Sequence, residues 1–477
     1  MRSDEFRSLG HRVIDELADY FDSIEDRRVF PDSDPAHLED LFDQRVPDAP
    51  SSGEDVLGEI REKLLPHSVH TGHGGYLGLI TASPLPIGVI GDLIASALNQ
   101  NLGTYSIGPG AVSIERRTIR WLCDLVGYGP EAGGNLTSGG MLANLIGLKL
   151  ARDFASGEEA QESGCEGRWG VYTSEERHVS IDKAADVVGL GRASVREIPT
   201  DNRFRVRTDV LEAAIKTDLD AGIRPACIIA MAGSTNTGAI DDLATLRNIA
   251  DRYGVWLHAD AAYGGGLLVS RRWRHLLSGL VHADSVTIDP HKWFYAPLDA
   301  GAVVVRDETA LSRAFGLTPP YLTDDFDASG DRYQYYVHGL EQSRRFRALK
   351  VWMSFKRYGT RKIGRWVEAN VGHARRIHEI AESSRCFASA VEPPMSAACV
   401  RYIPETELAG ADLDALHHRA VQRIEKIGDF WIGTTRLKGR TWFRACAVNY
   451  RTTDAHIDRL MALLERECLD IERDLVH

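Results

Sequence analysis

From residue 6 to residue 24 apolar side chains recur at helical spacing. Val13, Ile14, Leu17, Tyr20, Phe21 and Ile24 share one face, which predicts an amphipathic helix. A stretch rich in Pro and Asp follows over 31–50, and a second helix is expected over 54–65, ending before Pro66. So small a helical segment cannot bury its own apolar face, and it is expected to pack on another subunit. From about Leu85 to Arg306 helical patterns at 87–98, 113–126, 141–155 and 243–253 alternate with short apolar runs. Those runs, at 170–173, 226–230, 255–258, 285–288 and 302–305, are bounded by turn residues and predict buried strands. The alternation implies an α/β domain with a mostly parallel sheet. Residues 318–334, rich in Asp, Pro, Ser and Gly, read as a functional lid because of their length. A basic helix is expected over 344–358. Beyond it the pattern predicts a smaller α+β domain with strands at 398–403 and 441–449 and a last helix from Ala455 to about Arg473. The expected division is an N-terminal helical segment, 1–84, a large α/β domain, 85–350, and a small C-terminal domain, 351–477.

Composition narrows the class. A chain of 477 residues exceeds one ordinary core, and 43% hydrophobic with 26% charged residues is globular usage. A net charge of −12 argues against a nucleic-acid partner. The seven cysteines are dispersed without a C-x-x-C pair, so neither a zinc site nor a disulfide framework is expected, and a reducing cytoplasm is. The N-terminus lacks an apolar signal core, and no run of 18 uncharged apolar residues suggests a membrane span.

Candidate chemistry gathers at predicted strand ends. Lys292 lies in Asp289-Pro290-His291-Lys292-Trp293, just past the run Ser285–Ile288. A desolvated lysine beside other cationic groups becomes a nucleophile able to form a Schiff base, whereas a solvated one merely ends a strand. Asp260, in His258-Ala259-Asp260-Ala261-Ala262-Tyr263, stands at a strand's carboxyl end, where open α/β sheets bind ligands. It could face a protonated ring nitrogen, cap a helix or bind a metal. Thr137-Ser138-Gly139-Gly140-Met141-Leu142-Ala143-Asn144 opens a helix and reads as a phosphate seat without a Walker lysine, or as a tight turn with an N-cap. Gly233-Ser234-Thr235-Asn236-Thr237-Gly238 offers hydroxyls after another strand, or is an ordinary polar turn. His178 could stack on a flat cofactor or be structural. Pyridoxal 5′-phosphate, with its phosphate, basic ring nitrogen and aldehyde, matches every one of these positions.

At these motifs, and at Arg344-Arg345-Phe346-Arg347-Ala348-Leu349-Lys350, the chain resembles the group II pyridoxal-phosphate decarboxylases, closest in pattern to the aromatic-L-amino-acid decarboxylases. The resemblance extends from about Phe6 to the final helix. It implies the type I, aspartate aminotransferase-like fold and an obligate homodimer with sites at the interface. It implies that Lys292 bonds the cofactor's aldehyde, Asp260 keeps the pyridine nitrogen protonated and His178 stacks on the ring. It also implies that Thr235 lies by the ring hydroxyl, that Gly140, Met141 and Asp289 lie near the phosphate, and that His291 contacts the same region. A loop tyrosine returns a proton to the substrate in similar enzymes. Alignment backwards from Arg344 places Tyr335 there, with Tyr336 its close competitor.

Departures bear on the substrate. Met141 stands where a small or hydroxylic residue is usual, which leaves the phosphate to backbone N–H groups. The segment from His73 to Ile80 matches the family's substrate wall, with Tyr76, Leu79 and Ile80 as pocket residues; Leu79 replaces a common aromatic. Ser343 precedes the Arg pair, as in plant relatives acting on phenolic substrates. The expected activity is decarboxylation of an aromatic L-amino acid to its amine. Rival readings are an acidic or aliphatic amino acid as substrate, an aldehyde synthase or other type I lyase, and a paralogue that binds cofactor without turnover.

Overall fold

The computed structural model describes residues 1–157, 159–317 and 332–476. Most of the lid expected over 318–334 lies outside them. The chain divides into two compact units. Residues 80–372 with 391–397 form one, and residues 1–79 with 373–390 and 398–477 form the other. The expected divisions at 84/85 and 350/351 and these bounds differ for a physical reason. Helical structure over Ala348–Ser383, interrupted at Gly359, runs through the second division, so no linker composition marks it.

The first unit is built on a seven-stranded sheet. Its strands are β1 Gly133–Thr137, β2 Trp169–Ser174, β3 Val195–Ile198, β4 Arg224–Met231, β5 Trp256–Asp260, β6 Ser285–Ile288 and β7 Gly301–Val305, in the spatial order β1-β7-β6-β5-β4-β2-β3. Neighbours from β6 through β5, β4 and β2 to β3 are parallel, and β7 runs antiparallel to both β6 and β1. Every residue of β5, β6 and β7 is buried, as expected of strands covered on both faces. β1, whose sequence is Gly-Gly-Asn-Leu-Thr, carries no apolar run. Its glycines allow contact with β7, since a Cβ on Gly134 would collide with the Val303 carbonyl. The half-exposed edge strand β3 also lacks such a run.

These directions gather several chain ends at one sheet edge. Thr137 ends β1 opposite Gly301, Ile288 ends β6 opposite Ala302, and Asp260 ends β5 opposite Met231. The helix Gly140–Ser156 starts at that edge and buries Ala143, Ile146, Gly147, Leu150 and Ala151; it stops at Gly157, whose φ of +64° suits glycine.

The other unit holds a four-stranded sheet in the order β10-β11-β9-β8, made of β8 Phe387–Ser389, β9 Ala397–Tyr402, β10 Gly433–Leu437 and β11 Arg440–Cys446. Its core joins Val400, Leu416, Ile424, Phe443, Ile457, Leu460 and Leu464. The N-terminal helix Ser3–Asp22 buries none of its residues. The final helix spans Asp454–Val476.

Ile229, central in β4 and 1% exposed, packs into the sheet–helix core. Ile229→Ala leaves a cavity costing about 2–5 kcal/mol, and a clear fall in apparent Tm on thermal unfolding is expected.

Candidate active site

The sheet edge carries Lys292, Asp289, His291, Asp260, Gly140 and Met141. Asp289 precedes the short helix Pro290–Trp293 and is 3% exposed. Its Oδ2 lies 3.0 Å from Lys292 Nζ and 3.6 Å from His291 Nε2. Its Oδ1 is buried without a partner. His291 Nδ1 accepts the Ala300 N–H at 2.9 Å, which leaves Nε2 to carry the proton, and burial holds the imidazole below its ordinary pKa.

Close backbone approach shapes the same corner. A Cβ on Gly140 would stand 2.8 Å from Asp289 Oδ2 and 3.1 Å from Ala262 Cβ, and one on Gly301 would collide with Gly139. Gly140 and Met141 open the helix Gly140–Ser156, whose first N–H groups have no intrahelical acceptor.

Asp260 ends β5 at 7% exposure. Its Oδ1 accepts the Ala262 N–H at 3.0 Å and its Oδ2 the Asn144 Nδ2–H at 2.8 Å. His178 is exposed, and its Nδ1 meets Ser180 Oγ at 2.9 Å and the Ser180 N–H at 3.2 Å. Partial burial lowers its pKa; Asp260 opposes that shift and Lys292 adds to it, which puts His178 in the same electrostatic group. Thr235 is half-buried in the turn after β4, where Ser234 Oγ and Thr237 Oγ1 lie 3.0 Å apart.

Other candidates stand apart. Tyr335 is 1% exposed, with the Arg344 guanidinium 4.0 Å over its ring and the Tyr333 ring edge-on at 4.7 Å. Burial pushes its phenol well above the ordinary range, with Glu115 adding to the effect. Arg344 in turn pairs with Glu115 at 2.5 Å and donates to the Leu136 carbonyl, tying this cluster to β1. Among the described residues no hydrogen bond or ring contact joins Tyr335 to Lys292, Asp260 or His178. Tyr336 is also buried, and its N–H donates to the Gly103 carbonyl. In the unit that contains it, Tyr76 is 3% exposed and packs its ring 5.1 Å from that of Trp431, while Leu79 is exposed. In the sheet-bearing unit, Ile80 is half-buried and Ser343 is exposed.

The sequence motifs contain Asn144 and His258 but assign no role to them, and they omit Ser180. Asn144 lies four residues after Gly140, one helical turn further on the same face, which was the available signal. Behind it His258 is fully buried, its pKa lowered to about 4 by desolvation.

The donors and acceptors at this edge fit a phosphorylated pyridine aldehyde. The helix start offers N–H groups to a phosphate, Lys292 offers a primary amine, and Asp260 keeps lone pairs for a cationic ring nitrogen. The pyridoxal-dependent decarboxylase conserved domain matches residues 35–403. An aromatic-L-amino-acid decarboxylase of Bacillus atrophaeus is 31% identical over 462 residues, covering 97% of this chain and 95% of that protein. Tryptophan decarboxylase 1 of Oryza sativa subsp. japonica is 27% identical over 487 residues, covering 98% and 94%. The crystal structure of an Oryza sativa TDC with PLP and tryptamine superposes with a TM-score of 0.92 at 26% identity, covering 99% of each chain.

The buried His258 gives a pH prediction. A free histidine titrates near ~6.5 and this one near about 4, so between those values the unfolded chain binds a proton that the folded chain refuses. The associated stability is full above the unfolded value and is lost as pH falls through the window. The apparent Tm of the wild type should therefore fall more steeply between those pH values than that of His258→Gln. Parallel slopes in calorimetry would show that His258 does not titrate this way.

Proposed function

The chain belongs to the pyridoxal-dependent decarboxylase family and is a pyridoxal-phosphate carboxy-lyase; from that premise we propose that it decarboxylates aromatic L-amino acids to amines as a homodimer. One observation carries the reading of the site. The Asp260 carboxylate at the end of β5, the Lys292 amine just after β6 and the start of the helix Gly140–Ser156 just after β1 lie at one sheet edge.

Bound there, the cofactor supplies an electron sink for the bond to the departing carboxylate. Lys292 would hold it through its aldehyde, and Asp289 Oδ2, 3.0 Å from Nζ, orients that side chain. Asp260 would keep a proton on the ring nitrogen, Thr235 would lie by the ring hydroxyl, and His178 would cover the ring face. The N–H groups at Gly140 and Met141 would seat the phosphate, beside His291. The half-buried Met141 supplies no hydroxyl to it, so the backbone carries that task.

The proton that must return to the substrate's α-carbon is assigned to the Tyr335 hydroxyl. Because, among the described residues, no hydrogen bond or ring contact joins Tyr335 to Lys292, Asp260 or His178 within one chain, this assignment goes with the homodimer, whose sites would lie at the subunit interface. Support for the dimer comes from the helix Pro86–Leu98, which exposes Ile90, Leu93, Ile94 and Leu98 along one side. The seven cysteines are free thiols, in keeping with a cytoplasmic setting. Among the described residues no helix is long and apolar enough to cross a membrane.

The deciding experiment is a panel of amino acids given to the cofactor-loaded enzyme and scored for carbon dioxide and amine. Phenylalanine, tyrosine, dihydroxyphenylalanine or tryptophan should be consumed; turnover confined to glutamate, aspartate or cysteine sulfinate would overturn the aromatic assignment. Lys292→Ala should abolish turnover and the visible absorbance of the loaded protein. Tyr335→Phe should reduce amine formation by about 10²–10⁴-fold and raise the share of aldehyde product. An unchanged amine yield would move the proton donor to another group.

A further inference from the structure

Behind Asp260 lies a run of buried hydrogen bonds with one internally consistent direction. A carboxylate only accepts, so the Asn144 group 2.8 Å from Asp260 Oδ2 is the amide nitrogen. The second hydrogen of that nitrogen points to Ser180 Oγ at 2.9 Å. The Ser180 hydroxyl is then free to donate to His178 Nδ1 at 2.9 Å, which puts the His178 proton on Nε2. On its other side Asn144 Oδ1 accepts from Thr287 Oγ1 at 2.7 Å and from His258 Nε2 at 3.0 Å. His258 Nδ1 is left to accept the Ser285 hydroxyl at 2.7 Å, and Ser285 Oγ accepts the Trp256 indole N–H at 2.9 Å.

Asn144, Thr287, His258 and Ser285 are 1% exposed or less, so no solvent competes with that part of the array. Gly147, one turn beyond Asn144, gives His258 its room, because a Cβ there would collide with the imidazole. At neutral pH His258 is uncharged, with one N–H and one lone pair, as the array requires.

We propose that Asn144 is the positioning residue of this site: its amide nitrogen sets the Asp260 carboxylate at the cofactor's ring nitrogen and, through Ser180, the tautomer of His178 at the ring's face, while His258 locks the amide's orientation. The motif that starts the phosphate seat thus also aligns two groups on the ring. The inference rests on the pyridoxal-phosphate reading of the site, and its test separates the two.

Apo wild type, Asn144→Ala, Asn144→Asp and Ser180→Ala are titrated with pyridoxal 5′-phosphate by tryptophan-fluorescence quenching. The pH midpoint of the visible band is then recorded at saturation, and the Tm of each apo protein is measured. Wild type that neither quenches nor colours overturns both the cofactor reading and this inference. With wild type binding, both Asn144 variants should bind about 10- to 100-fold more weakly, as loss of a hydrogen bond to a charged group implies. Their midpoints should move by roughly half a unit or more. Ser180→Ala, which loses only the arm to His178, should keep its affinity within about threefold and still shift the midpoint. A folded Asn144→Ala with wild-type affinity and midpoint overturns the inference. Where neither Asn144 variant folds, an unmoved midpoint in Ser180→Ala overturns it.

Discussion

A carboxylate withdrawn from water at the end of a parallel strand is the constraint from which the rest of this site follows. Asp260 must find donors for its oxygens or remain a large cost to folding. One donor is the backbone of its own turn, at Ala262; the other is Asn144, on the helix that crosses the sheet. Bringing that helix within reach requires small residues on its inner face, and Ala143, Gly147 and Ala151 meet the need. The same approach places the helix start beside Asp289 and Lys292. Packing, the proposed anion seat and the proposed ring partner are thus different aspects of one helix position.

The second set of constraints surrounds Arg344. Its guanidinium and the Glu115 carboxylate are both almost fully buried, and both bond the backbone of Leu136, the residue before Thr137. Tyr335 closes over the guanidinium. A buried pair held this way fixes the geometry of β1 more than it adds to stability. It thereby sets where the helix Gly140–Ser156 begins.

Much of this was legible in the sequence. β2, β4, β5, β6 and β7 are runs of apolar residues between turns, because strands covered on both faces need no polar alternation. β1 was not, since its residues are chosen for close approach to β7 and not for hydrophobicity. Lys292, Asp260 and the Gly139-Gly140 turn stood out because their chemistry is unusual for strand ends. Asn144, Ser180 and His258 did not, because their roles arise only when three separate segments meet. The burial of Tyr335 under Arg344 was equally hidden: nothing local says which face of an aromatic ring a guanidinium nine residues later will cover. The basic pattern over 344–358 was read as one helix, yet the helix starts at Ala348, because Arg344 and Arg347 are drawn out to Glu115, Asp299 and Glu341.

The direction of the hydrogen bonds behind Asp260 has a further consequence. Each link from Trp256 to His178 passes on the same sense of donation, so the array behaves like a parity bit. Invert the Asn144 amide and its oxygen faces a carboxylate while its nitrogen faces the hydrogen on His258 Nε2. Moving the His258 proton to Nδ1 relieves the second clash, but nothing relieves the first, because a carboxylate has no hydrogen to turn towards the oxygen. Only one arrangement is therefore self-consistent, and the Asp260 carboxylate sets the sense of every link as far as Trp256.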